Sequence, residues 1–126
     1  MGLLQKETVS ISEAQVVTKA TVAAAERLGI SARTLAAVIG VSEASVSRMK
    51  RLDHLLEKRT KPFELALLLI RLFRSLDAIT GGDDGVARQW LRNPNTALGG
   101  VPVEKMKTIS GLADVLAYLD ARRALV

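Results

Sequence analysis

SARTLAAVIGVSEASVSRMKR, Ser31 to Arg51, is the stretch that decides how this chain folds. Two short helical segments, ARTLAAVI and EASVSRMKR, are joined by Gly40-Val41, and each follows a serine, Ser31 or Ser42. Such a serine caps a helix by accepting a hydrogen bond from a backbone N–H that the first turn leaves unpaired. Ala36 stands four residues before Gly40, and Val46 stands six after it. Helices that cross steeply need a small side chain where they touch, which Ala36 supplies. The turn needs positive φ, which glycine adopts at little steric cost. Leu35, Val41 and Val46 are then placed to fill the joint.

The segment resembles the helix-turn-helix of Xre/Cro-type repressors. The resemblance makes Ser42–Arg51 the recognition helix, with Glu43, Ala44, Ser45, Ser47 and Arg48 turned to base edges in the major groove. Arg48 suits guanine O6 and N7, while Lys50 and Arg51 suit phosphates. The DNA-binding set it implies is therefore Ser42, Glu43, Ser45, Ser47, Arg48, Lys50 and Arg51. No Asn or Gln lies on this helix, so the usual adenine contact is missing. A helical hairpin that keeps the fold without binding DNA is the competing reading.

Charge placement bears on the same question. Between Arg48 and Lys61 lie six basic residues against Asp53 and Glu57, so this window carries +4 of the chain's +5. A localised basic patch points to a polyanion partner, although a solvated helix face is the commoner meaning of a charge run.

The rest of the chain reads as helix too. Leu, Ile, Val and Ala must build the core, since aromatics make up only 3% of the 126 residues, and strands favour the aromatic and β-branched types. No segment alternates apolar and polar residues over a strand's length. Ser12–Leu28 is expected to form a helix capped by Ser12 and stopped by Gly29. The linker LDHLLEKRT, Leu52–Thr60, is expected to be partly helical. Lys61-Pro62 marks a fresh start, because proline is favoured in a first turn, and Phe63–Ile79 runs on to Gly81-Gly82. Asp83 and Asp84 open another helix, which ends near Arg92. PVEKMKT, halted by Gly111, and GLADVLAYLDARRAL complete an all-α chain with a division near Thr60: residues 1–60 and residues 61–126.

Both asparagines of the chain, Asn93 and Asn95, fall in WLRNPNTALGG, Trp90–Gly100, with its only tryptophan. Trp90 is large enough to anchor this loop. Pro94 pushes Asn93 out of helical geometry. Leu98 is the loop's apolar pin, Gly99 and Gly100 permit a tight reversal, and Pro102 starts the next helix. By itself this is a helix connector.

The order Trp90, Asn93, Leu98-Gly99, Pro102, Gly111, followed by the apolar face of Val115, Leu116 and Leu119, also resembles the C-terminal domain of the MbcA/ParS/Xre antitoxins. With the helix-turn-helix upstream, the resemblance spans about residue 20 to about residue 120. It implies an N-terminal Xre/Cro-like helix-turn-helix followed by a small helical toxin-binding domain. It implies an antitoxin of a type II toxin-antitoxin system, with a RES-domain toxin as partner, one that consumes NAD⁺ or modifies proteins with it. The antitoxin would obstruct that toxin's active site mainly with its C-terminal region, bind operator DNA to repress its own operon, and form a homodimer. The toxin-binding residues are then expected to be Trp90, Asn93, Leu98, Gly99, Arg122 and Arg123, with the loop as a structural hinge. Family members commonly carry a glycine-containing tail after the last helix, where this chain has DARRALV.

An enzyme is not expected, and neither are a metal or a cofactor. His54 is the only histidine and reads as a solvated surface residue. Asp83-Asp84 read as carboxylates favouring a helix N-terminus, and no phosphate-cradling glycine motif is present. The absence of cysteine fits a reducing cytoplasm and rules out thiolate sites. The longest apolar run, Leu65–Ile70, is far too short to cross a membrane. The second functional reading is a stand-alone dimeric repressor, which leaves the C-terminal half unexplained. The dimer itself is expected from Phe63–Ile79, apolar on most faces.

Overall fold

The computed structural model describes the backbone of residues 2–125 and the side chains of residues 13–125. Seven helices lie among them: α1 (Gly2–Arg27), α2 (Ala32–Ile39), α3 (Glu43–Lys50), α4 (Lys61–Ile79), α5 (Asp84–Arg92), α6 (Pro102–Lys105) and α7 (Ile109–Arg123). The described residues contain no strand, only an isolated antiparallel bridge between Asn95 and Gly100. The all-α reading is correct.

One capping device starts five of the helices. Ser31 accepts from the Thr34 N–H, Ser42 from Ser45, Thr60 from Phe63, Asp83 from Val86 and Thr108 from Gly111. Each such cap stabilises by about 1 kcal/mol. Three boundaries depart from expectation. First, α1 begins at Gly2 and passes through Ser12, whose side chain lies outside the described residues, so Ser12 starts no helix. Second, Leu52–Thr60 holds no helix, because Leu52 and Arg59 take φ of 60° and 73°, which a right-handed helix cannot continue. Third, Gly111 is no helix stop: Thr108 caps α7 and leaves Gly111 inside its first turn.

The core is continuous across Thr60. Down the middle of α4, Phe63, Ala66, Leu69, Leu72 and Leu76 are buried between α1 and α2 on the one hand and α7 on the other. Leu112, Val115, Leu116 and Leu119 of α7 meet them, as their one-stripe spacing suggested. Full burial of one such side chain is worth about 1.5–3 kcal/mol. Near its end α7 is fixed by a polar contact: the buried Ser75 hydroxyl donates to Asp120 at 2.6 Å, and Arg71 reaches the same carboxylate at 3.3 Å.

Polar bonds also tie the irregular stretch and α5 to α1. The buried Thr18 hydroxyl donates to the Ala14 carbonyl and accepts the Leu56 N–H at 3.0 Å, which holds the Leu52–Thr60 stretch to α1. Helix ends leave carbonyls unpaired, and those at the end of α1 are taken up by α5. Arg88 donates to the Arg27 and Glu26 carbonyls, and Arg92 to that of Gly29, each at 3.0 Å. Arg27 itself bonds Asp84 at 3.0 Å and Asp77 at 2.9 Å and lies over the Phe73 ring. Hydrogen bonding to Asp84, with the charge of Asp77, raises the Arg27 pKa above its ordinary value. Asp84 thus serves α1 as well as the start of its own helix.

Candidate functional site

The helix-turn-helix joint is built as its residues require. Gly40 sits at φ 73°, ψ 42°, and the N–H groups of Gly40 and Val41 both reach the Ala36 carbonyl, at 2.9 and 3.1 Å. Leu35, Ala36, Val46 and Met49 are buried at the crossing. With Val46 and Met49 turned inward, Glu43, Ala44, Ser47, Arg48, Lys50 and Arg51 are exposed along α3. Ser42 is exposed too, but its oxygen caps the helix and donates to Ser45 Oγ at 3.0 Å. Ser45, half-buried, accepts in turn from Arg48 Nη2 at 3.3 Å. The two serines therefore fix the start of the helix and steady Arg48.

Within the basic window three residues pair with carboxylates: Arg51 with Asp53, Lys58 with Glu13, and Lys61 with Glu64. Such exposed pairs are worth at most about 1 kcal/mol and leave the cations accessible. Arg48, Lys50 and Arg59 have no carboxylate partner among the described residues. Two of these three lie on α3, in its last turn, while the helix's one carboxylate, Glu43, stands in its first turn. His54 is half-buried rather than fully solvated, in a hollow shared with Val41, Ser42 and Ser45. The described residues hold no His, Asp and Glu cluster fit for a metal, and none of their helices is long and apolar enough to cross a membrane.

In the C-terminal half Trp90 lies in the last turn of α5, half-buried, its ring stacked on Tyr118 with centroids 6.0 Å apart and planes 17° apart. One turn further along α7, the Arg122 guanidinium lies 5.8 Å over the Tyr118 ring and donates to its hydroxyl at 3.3 Å. These side chains border a groove of about 180 Å³ whose other walls include Leu76, Ile79 and Val86. Trp90 and Arg122 are thus brought together, with Tyr118 between them. Arg123 is exposed beside them in sequence.

Asn93, Leu98 and Gly99 do not line that groove. Asn93 is exposed and extended ahead of Pro94, its N–H closing α5 onto Gln89. Leu98 packs against the core, and Gly99 turns at φ 71°. The asparagine that shapes the loop is Asn95, which sequence reading left without a role. Its side chain accepts the Leu98 N–H at 3.1 Å, and its backbone pairs with Gly100 in both directions. Tyr118 and Val86 were missed as well. Each stands four residues before an arginine or tryptophan already singled out, and on a helix that spacing makes neighbours.

A family profile described as the antitoxin Xre-like helix-turn-helix domain matches residues 7–71. A second, described as the antitoxin Xre/MbcA/ParS C-terminal toxin-binding domain, matches residues 75–124. Both descriptions name antitoxin domains, and the second names a toxin-binding one. Among curated proteins, none matches the chain.

Proposed function

Since the chain belongs to the Xre/MbcA/ParS antitoxin family, we propose that it neutralises a RES-domain, NAD⁺-consuming toxin and represses its own operon as a homodimer in the cytoplasm. The observation that carries this reading is one continuous core that bears exposed cations on two different helices. Arg48 and Lys50 stand exposed on α3, and Arg122 and Arg123 stand exposed at the end of α7. A stand-alone repressor has use for the first pair only.

For the DNA face, the test is a mobility shift on the protein's own promoter. Arg48→Ala is expected to weaken specific binding by about 1–3 kcal/mol, the worth of a bidentate guanine contact. Lys50→Ala is expected to weaken binding to any sequence and to lower the salt slope by about one. If both variants bind as the parent does, α3 is inert towards DNA and the repressor half of the reading fails.

Homodimerisation is supported by apolar surface left over on α1 and α4. Most of α4 is covered within the subunit, but Val16 and Leu67 remain 61% and 40% exposed beside Val17 and Phe63. Sedimentation at micromolar concentration is expected to give a dimer, and Leu67→Glu a monomer. A monomeric parent protein would refute it.

A further inference from the structure

We propose that the groove between α4, α5 and α7 is the anchor pocket for the toxin: it receives one apolar side chain of the toxin, while a carboxylate beside that side chain pairs with Arg122. The proposal rests on the antitoxin reading and adds where the toxin is gripped and what chemistry it must present.

Size and lining point to a side chain rather than a free ligand. Small-molecule pockets run to about 300–1,000 Å³, whereas this groove holds about 180 Å³. Its walls are mostly apolar or aromatic, among them Leu76, Ile79, Val86, Trp90 and Tyr118, with Val86 49% exposed at its edge; the polar members are Arg122 and Thr80, whose hydroxyl donates to the Leu76 carbonyl. Trp, Tyr and Arg are the residue types that dominate interface energetics, most of all around a central pocket. Here the chain's single tryptophan, its single tyrosine and an arginine form one contiguous wall.

Charge identifies the neighbour of the inserted side chain. Arg27 is committed to Asp77 and Asp84, and Arg71 to Asp120. Arg122 has no carboxylate among the described residues; it is held only by the ring and hydroxyl of Tyr118. A guanidinium already held in place gives up less side-chain freedom when it binds. Its planar fork suits a carboxylate, which it grips through two parallel hydrogen bonds. Asp120, the nearest acidic residue along α7, is spent on Ser75 and Arg71 and does not neutralise Arg122. The complementary surface is therefore an apolar residue with an Asp or Glu close to it on the toxin.

The test uses the full chain and a catalytically silenced RES-domain toxin from the same operon. Titration calorimetry gives the affinity. The indole N–H of Trp90, a single resonance in ¹⁵N-labelled chain, reads the groove directly. Val86→Lys and Arg122→Glu alter exposed positions, and circular dichroism is expected to find both folded. Each is expected to weaken toxin binding by thirtyfold or more, while Lys19→Ala on α1 changes it less than threefold and the Trp90 resonance shifts on binding. Toxin binding that both groove variants retain, with the Trp90 resonance unmoved, overturns the anchor and leaves the antitoxin reading intact. A parent chain that does not bind the toxin refutes that reading, and the anchor with it. If Val86→Lys instead breaks a dimer in the absence of toxin, the groove is a contact between copies and the proposal is wrong.

Discussion

Replacing Gly111 by alanine is expected to lower folding stability by about 3 kcal/mol, at the upper end of typical overpacking, and the melting temperature by about 10 °C for a chain of this size. Two effects oppose each other. Alanine is a better helix former than glycine by about 1 kcal/mol, and Gly111 lies in the first turn of α7 with ordinary backbone angles. A Cβ there, however, would fall 2.7 Å from the Lys105 carbonyl carbon, closer still to its oxygen, and 2.8 Å from the capping hydroxyl of Thr108. The obstacle is backbone at the end of α6, so relief requires moving α6 or giving up the cap, and the clash outweighs the propensity gain. Thermal unfolding followed by circular dichroism decides between them, and an unchanged or raised melting temperature would show that α6 yields freely.

Deletion of residues 121–126 is expected to abolish rescue of toxin-expressing cells while leaving the fold and DNA binding intact. The anchors of α7 all precede the cut: Leu119 is in the core, and Asp120 holds Ser75 and Arg71. What is lost is Arg122, Arg123 and an apolar tip, with Leu125 86% exposed. If the arginines merely complement the negative end of the helix dipole, worth about 0.3–1 kcal/mol, the truncated chain will melt slightly earlier and still rescue. Full rescue would remove the terminal residues as the inhibitory element and leave the Trp90–Gly100 loop as the better candidate.

The helix-turn-helix half of the candidate site was readable because its determinants are local. Val46 and Met49 are three residues apart, so burying both turns Ala44, Ser47 and Arg48 outward and leaves Glu43 and Lys50 on the flanks. The C-terminal half was legible only in part. Trp90, Arg122 and Arg123 stand out by type or position, but the groove is made by Tyr118, Val86, Ile79 and Leu76, which look like ordinary helix residues. Their roles come from the packing of three helices. Asn93 outranked Asn95 in sequence because proline follows it, yet that proline holds Asn93 extended and exposed, while Asn95 closes the turn.

By itself the sequence determined what depends on a few adjacent residues. Capping serines, the Gly40 turn and the apolar stripes of α4 and α7 act over one or two helical turns, where spacing alone fixes geometry. Only the tertiary structure decided what joins distant segments. Arg27 meets Asp84 across 57 positions, Arg92 meets the Gly29 carbonyl across 63, and Ser75 meets Asp120 across 45. It also turned Gly111 from an apparent helix stop into the point where α7 passes the end of α6 with no room for a side chain. Many pairings of charges and hydroxyls are compatible with one pattern of helices. Which of them form is set by how those helices cross, and that is a property of the packed core.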